Sequence, residues 1–176
     1  TTALDAAAKD AVRARRHRTR GWTPLGDHSL GHSMAAPGSP PPPPDLFERY
    51  RIGPFDLPDD DYSRARLDTV FAPNVWPDDA SPDFRPAMSD WYRAMSGLSR
   101  ELMRVFACTL HLRRDWFDAK IDREMSSLVV NWYPVPAEPP LQGQLRASAH
   151  TDYGTLTIVA PTAEPAHGRV LPQARA

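Results

Sequence analysis

His150 and Asp152 stand one residue apart in the run Arg146-Ala-Ser-Ala-His-Thr-Asp-Tyr-Gly-Thr-Leu-Thr-Ile-Val159. An imidazole nitrogen with a carboxylate oxygen suits a divalent iron ion and leaves coordination positions open for other reactants. In an extended chain, residues two apart project to one face, so both side chains can meet one ion. With 6 His and 17 Asp in 176 residues, chance supplies roughly 0.6 such pairs, so the motif gains weight only from its surroundings.

The remaining candidates for chemistry are weaker. His28 and His32 are four apart, the spacing of one helix face, but Gly26 and Gly31 oppose a stable helix there. Cys108, the single cysteine, excludes an internal disulfide framework and lies in an apolar run, where a buried, inert thiol is expected. His111 follows a long helical pattern and reads as a favourable end to the helix dipole. His167 is the only histidine after the pair, in a stretch rich in proline and glycine that reads as loop or tail.

Composition narrows the function classes. A formal charge of −1 gives no overall pull toward nucleic acid or membrane, and no run of about 18 apolar residues is present to span a bilayer. The expectation is a soluble, cytoplasmic protein with a small-molecule partner, neither nucleic acid nor membrane, and monomeric at full length. At 176 residues and 41% hydrophobic, the chain has material for one ordinary core. The basic run Arg13 to Arg20 reads as a solvated face, and the five prolines Pro40 to Pro44 as an extended surface loop.

The elements that must position the pair can be read in turn. Residues 3–14 are strong helix formers with few large apolar side chains, an exposed helix that needs a neighbour. Residues 47–77 are irregular and punctuated, with aromatics expected to pin a long loop to a core. Ser81-Pro82-Asp83 reads as a helix start with a capping side chain and a proline at the first helical position. Met88, Trp91, Tyr92, Met95, Leu98, Leu102, Val105, Phe106 and Leu110 then predict an amphipathic helix over about 83–110, with that stripe in the core. A short helical turn is expected around 115–120, and a strand over Leu128 to Tyr133, ended by Pro134 and Pro136. Further strands are expected over 144–150 and, from its alternation, over 155–159.

These residues resemble a known family, the isopenicillin N synthase-like, iron(II)- and 2-oxoglutarate-dependent dioxygenases. The resemblance rests on Asn131-Trp-Tyr-Pro134 and Gln144-Leu-Arg-Ala-Ser-Ala-His-Thr-Asp-Tyr-Gly-Thr-Leu-Thr-Ile158. Upstream it includes Gly21-Trp-Thr-Pro-Leu-Gly26, Ile52-Gly-Pro54 and Phe71-Ala-Pro-Asn-Val-Trp-Pro77. Together these cover roughly residues 12–159 in the family's order. The fold implied is α+β to mainly β. A helical and loop region over 1–125, with a long backing helix, precedes the opening strands of a double-stranded β-helix, or jelly roll, over 126–160, and 161–176 form an irregular tail.

The resemblance implies that His150 and Asp152 are the first two ligands of a facial iron(II) triad. Tyr133, and with it Asn131, would serve the co-substrate 2-oxoglutarate, which is consumed with oxygen. Arg146, an even number of residues from His150, is a possible substrate or co-substrate contact. The family's third ligand, a later histidine, and the Arg-x-Ser that grips 2-oxoglutarate are absent from the sequence. The expectation is therefore a truncated portion of an oxidoreductase that catalyses hydroxylation, desaturation or ring closure, inactive alone. An oxidase of the isopenicillin N synthase type, an ethylene- and succinate-forming enzyme, and a non-catalytic remnant or binding module are the alternatives.

Overall fold

The computed structural model describes residues 4–15 and 19–161. Element order is α1 (Ala6–Ala11), β1 (Gly21–Thr23), a 3-10 turn (Leu30–Met34), β2 (Glu48–Ile52), α2 (Asp61–Arg64), α3 (Phe84–Thr109), a second 3-10 turn (Asp118–Lys120) and β3 (Leu128–Trp132). The chain divides into two compact units. One comprises residues up to Pro24 with Arg49–Asn131, the other Leu25–Glu48 with residues from Trp132 onward.

In the first unit the strands lie in the order β1-β2-β3, with β1 antiparallel to β2 and Trp22 opposite Tyr50. β2 falls where the sequence reads as irregular, within 47–77. Glu48, Arg49 and Arg51 mask a period-2 pattern in which Tyr50 and Ile52, both 0% exposed, face the core. Val12, Met88 and Tyr92 complete that buried cluster, with Trp22, Phe55, Val75, Trp76, Phe84 and Leu128 packed around it. The expected aromatic pins are therefore present, and Phe71 is also buried. The Tyr50 hydroxyl donates to the Val75 carbonyl, and Asn74 brackets Gly53 by accepting from its N–H and donating to its carbonyl, at 2.9 and 3.0 Å. Burial raises the Tyr92 hydroxyl to about 12, so it stays a donor, here to the Ser126 carbonyl at 3.3 Å.

α1 is short, capped by the Asp5 side chain accepting from the Ala8 N–H at 2.8 Å, and finds its neighbour through Val12. Arg20 departs from the solvated face expected of the basic run. It is 3% exposed and donates to the Val70 carbonyl, and burial, with Arg51 close by, pulls its guanidinium below its ordinary basicity. Arg16, His17 and Arg18 of the same run lie outside the described residues.

α3 matches the expected long helix, with corrections at its start and on its faces. The N-cap is Asp83 without a side-chain cap, and the Phe84 N–H donates instead to the Ser81 carbonyl at 3.1 Å. The core takes Met88, Tyr92, Met103 and Ala107, whereas Trp91, Leu98, Val105, Phe106 and Leu110 are exposed. At 100° per residue, Trp91, Leu98 and Val105 form a second apolar stripe roughly 130° round the helix from the buried one. Cys108, expected to be buried, is exposed because the same arithmetic puts it roughly 150° from the buried arc. His111 ends the helix with φ +57°: its N–H reaches the Cys108 carbonyl at 3.0 Å, and the Leu112 N–H reaches Ala107 at 2.9 Å, a Schellman motif. No helix among the described residues is long and apolar enough to cross a membrane.

In the second unit, β3 contributes Trp132, and no strand forms over 144–150 or 155–159. A strand exists only where neighbouring backbone completes its ladder. Here the Leu145 carbonyl accepts from the Leu46 N–H at 3.0 Å, and the Ser148 N–H goes to the Asp45 carboxylate, so the segment is extended but tied by single contacts. Residues 155–159 are almost wholly exposed, so their alternation buries nothing.

Candidate functional site

The second unit carries four of the five residues singled out above. Its organising residue is Asp45, which follows the proline run and is 1% exposed. One carboxylate oxygen accepts from the Ser148 N–H at 2.8 Å and the Ser148 hydroxyl at 2.6 Å, the other from the Leu30 N–H at 2.6 Å. The Asp45 N–H donates to the His28 carbonyl at 2.8 Å, and the Gln144 side chain donates to the Pro44 carbonyl at 2.8 Å. The proline run, which has no N–H groups of its own to offer, is thereby fixed at its end.

From Ser148 the chain reaches the pair. The Ser148 carbonyl lies 2.8 Å from His150 Nδ1, and His150 Nε2 lies 3.2 Å from Asp152 Oδ1. The face shared by alternate residues thus brings the two side chains together without a formed strand. A carbonyl oxygen only accepts, so Nδ1 carries the hydrogen, and in the neutral ring the lone pair sits on Nε2. A lone pair and a carboxylate oxygen at that distance repel unless a proton or a metal cation lies between them. One imidazole nitrogen and one carboxylate oxygen so arranged fit two coordination positions of iron(II). Among the described residues no group of three or more His, Cys, Asp or Glu is placed to hold a metal, so a third such ligand is not supplied there.

Arg146 and Tyr133 are brought together. The Arg146 guanidinium donates to the Tyr133 carbonyl at 3.1 Å and lies 5.8 Å from its ring centroid, and another neighbour of that ring is Phe47, at 5.7 Å between centroids. Asn131 lies on β3, in the first unit. His28 packs its ring edge against Phe47 at 5.8 Å, and His32 lies in the first 3-10 turn, so the two do not form a pair on one helix. His167 lies outside the described residues. A groove of about 350 Å³ beside α3, lined by Phe55, Tyr92, Arg93, Arg100 and Glu124 among others, includes none of the site residues, and Arg93 and Arg100 pair there with Asp56 and Glu124.

Sequence reasoning misses Asp45. It sits 103 positions from Ser148, beside prolines that read as surface loop, and nothing local signals a buried carboxylate there. The one available hint is an acidic residue immediately ahead of the apolar Leu46-Phe47.

No protein-family profile matches the chain. It is 32% identical over 142 residues to the proline hydroxylase buaE of Petromyces alliaceus, covering 80% of this chain and 40% of that protein. It is 27% identical over 154 residues to the validamycin A dioxygenase of Streptomyces hygroscopicus subsp. limoneus, covering 86% and 40%. Among solved structures it is similar to a full-length Neurospora crassa protein in complex with alpha-KG, with TM-score 0.62 and 28% identity over 86% of this chain and 44% of that one. The chain therefore spans about 40% of the length of these relatives. Similarity that runs through most of this chain, in sequence and in fold alike, makes it a member of the 2-oxoglutarate- and iron(II)-dependent, isopenicillin N synthase-like oxygenase family.

Proposed function

We propose that the chain carries the first two metal ligands of a mononuclear, non-haem iron(II)- and 2-oxoglutarate-dependent dioxygenase that oxidises a small organic molecule. The observation that supports this reading best is the convergence of His150 Nε2 and Asp152 Oδ1 at 3.2 Å, with Nδ1 turned to a backbone carbonyl. When bound, iron with 2-oxoglutarate and oxygen would supply the oxidising power for hydroxylation, desaturation or ring closure. The protein's part is to hold and orient. His150 and Asp152 would hold the cation, and Tyr133 and Asn131 would meet the co-substrate carboxylate. Arg146, bonded to the Tyr133 carbonyl, would keep that aromatic in place. Residues 126–160 would open the jelly roll on which the remaining ligand sits.

The test is titration with Mn(II), a redox-silent probe, followed by electron paramagnetic resonance of the free ion. The 176-residue chain should bind weakly, and His150→Ala or Asp152→Ala should each weaken binding about tenfold or more. Affinity unchanged by both substitutions would overturn the reading. No succinate should form from 2-oxoglutarate under air, since two ligands hold the cation poorly. Stoichiometric iron with succinate release would show that this chain completes the site by itself.

A further inference from the structure

We infer that Asp45 is a positioning residue for the metal-binding pair, acting through Ser148 to set which nitrogen of His150 faces Asp152; this rests on the reading of His150 and Asp152 as ligands. Asp45 is 1% exposed, and each carboxylate oxygen is engaged: Oδ1 by the Ser148 N–H and hydroxyl at 2.8 and 2.6 Å, Oδ2 by the Leu30 N–H at 2.6 Å. A carboxylate that accepts three hydrogen bonds in a dry setting holds its donors in one geometry, because breaking any of them strands a buried polar atom. The held residue is the one whose carbonyl receives His150 Nδ1 at 2.8 Å.

The chain of contacts has a direction. Asp45 takes both donors of Ser148, the N–H and the hydroxyl, which fixes the residue on which the Ser148 carbonyl is carried. That carbonyl can only accept, so it selects the Nδ1–H form of the ring and turns Nε2 toward Asp152 Oδ1. Ligating imidazoles are commonly oriented by a hydrogen bond from the other ring nitrogen, and here the orienting carbonyl is itself held by a second buried group. The Leu46 N–H to Leu145 carbonyl bond, at 3.0 Å, ties the same two segments a little further along. The His150 side chain is 32% exposed, and the contact of Nδ1 with the Ser148 carbonyl fixes which ring nitrogen is turned to Asp152.

The experiment uses the whole 176-residue chain in three forms: unaltered, Asp45→Asn and Ser148→Ala. Nitrogen-15 NMR of the metal-free protein reads the His150 tautomer, amide hydrogen exchange reads Leu30 and Ser148, and Mn(II) titration reads affinity. In Asp45→Asn one acceptor oxygen becomes a donor, which must meet either the Leu30 N–H or the Ser148 donors, so the clasp loosens and amide protection at Leu30 or Ser148 should fall. The His150 ring should become a mixture of tautomers, and Mn(II) affinity should fall by roughly tenfold or more. Ser148→Ala keeps the N–H and loses only the hydroxyl, and should produce the same shifts in smaller measure. If Asp45→Asn does not fold, Ser148→Ala decides alone. A tautomer ratio and Mn(II) affinity both unchanged in the variant that folds would overturn the proposal. Failure of the ligand reading is distinguishable: His150→Ala and Asp152→Ala would then leave Mn(II) affinity unchanged, while the tautomer and exchange measurements still report on Asp45.

Discussion

Single side chains in this protein do different work according to what their neighbours offer. Asp45 and Asp60 both accept backbone N–H groups, yet one is buried and fixes a distant segment while the other caps a helix in the open. Asp60 accepts from the Ser63 N–H at 2.9 Å and pairs with Arg123. The hydrogen bond from Ser63 first, and then the Arg123 guanidinium, lower its carboxyl from 3.8 to about 2. A carboxyl whose folded pKa lies below its unfolded one stabilises the fold above the unfolded value and loses that contribution as pH falls through the folded one. Stability measured by urea titration should therefore decline between about pH 4 and pH 2, and Asp60→Asn should flatten that part of the profile. An unaltered profile in the variant would remove Asp60 from the acid response. The residues most legible in the sequence are of a similar local kind. Alternation puts His150 and Asp152 on one face and the neighbouring motif singles them out, whereas Asp45 depends on a partner no local pattern reveals.

At the scale of elements, α3 shows how far periodicity carries. Its length is readable to within a residue or two because apolar side chains recur at three and four positions over the whole span. Which of them enter the core is not readable, since α3 carries two apolar faces and spacing does not say which one meets β2. β2 escapes for the opposite reason: its charged residues hide an alternation that burial makes plain. The strands expected over 144–150 and 155–159 show that strand propensity needs a ladder partner before it becomes a strand. The end of α3 offers a test. His111 occupies the left-handed position, at φ +57°, that glycine fills without strain. His111→Gly should stabilise the protein by about 1 kcal/mol in thermal or urea unfolding, and a loss of stability would show that the imidazole compensates through the helix dipole.

For the whole molecule, the outward-facing surface carries the clearest expectation. Trp91, Leu98 and Val105 are 47%, 43% and 59% exposed on one stripe of α3, and Val129, Val130 and Trp132 of β3 are also exposed. Exposed apolar side chains such as those along the α3 stripe bind hydrophobic dyes and promote association. The 176-residue chain should enhance the fluorescence of an anilinonaphthalene sulfonate dye. Val105→Glu combined with Leu98→Glu should reduce that signal while leaving the melting midpoint nearly unchanged, because neither residue belongs to the core. Dye fluorescence unaffected by both substitutions would place the exposed apolar surface elsewhere.

The bond from Ser148 to Asp45 also orders events in time. It joins positions 103 residues apart, and closing a loop of that size costs roughly 4 kcal/mol of chain entropy through the logarithmic term. Local helices such as α3 can form within microseconds, but the His150–Asp152 geometry must wait for this long-range closure. During synthesis the proline run and Asp45 leave the ribosome first and remain without their partner until the segment around Ser148 has emerged. On the role proposed for Asp45, the pair takes its final orientation late, and a metal ion arriving earlier would meet a segment not yet ordered into the proposed site.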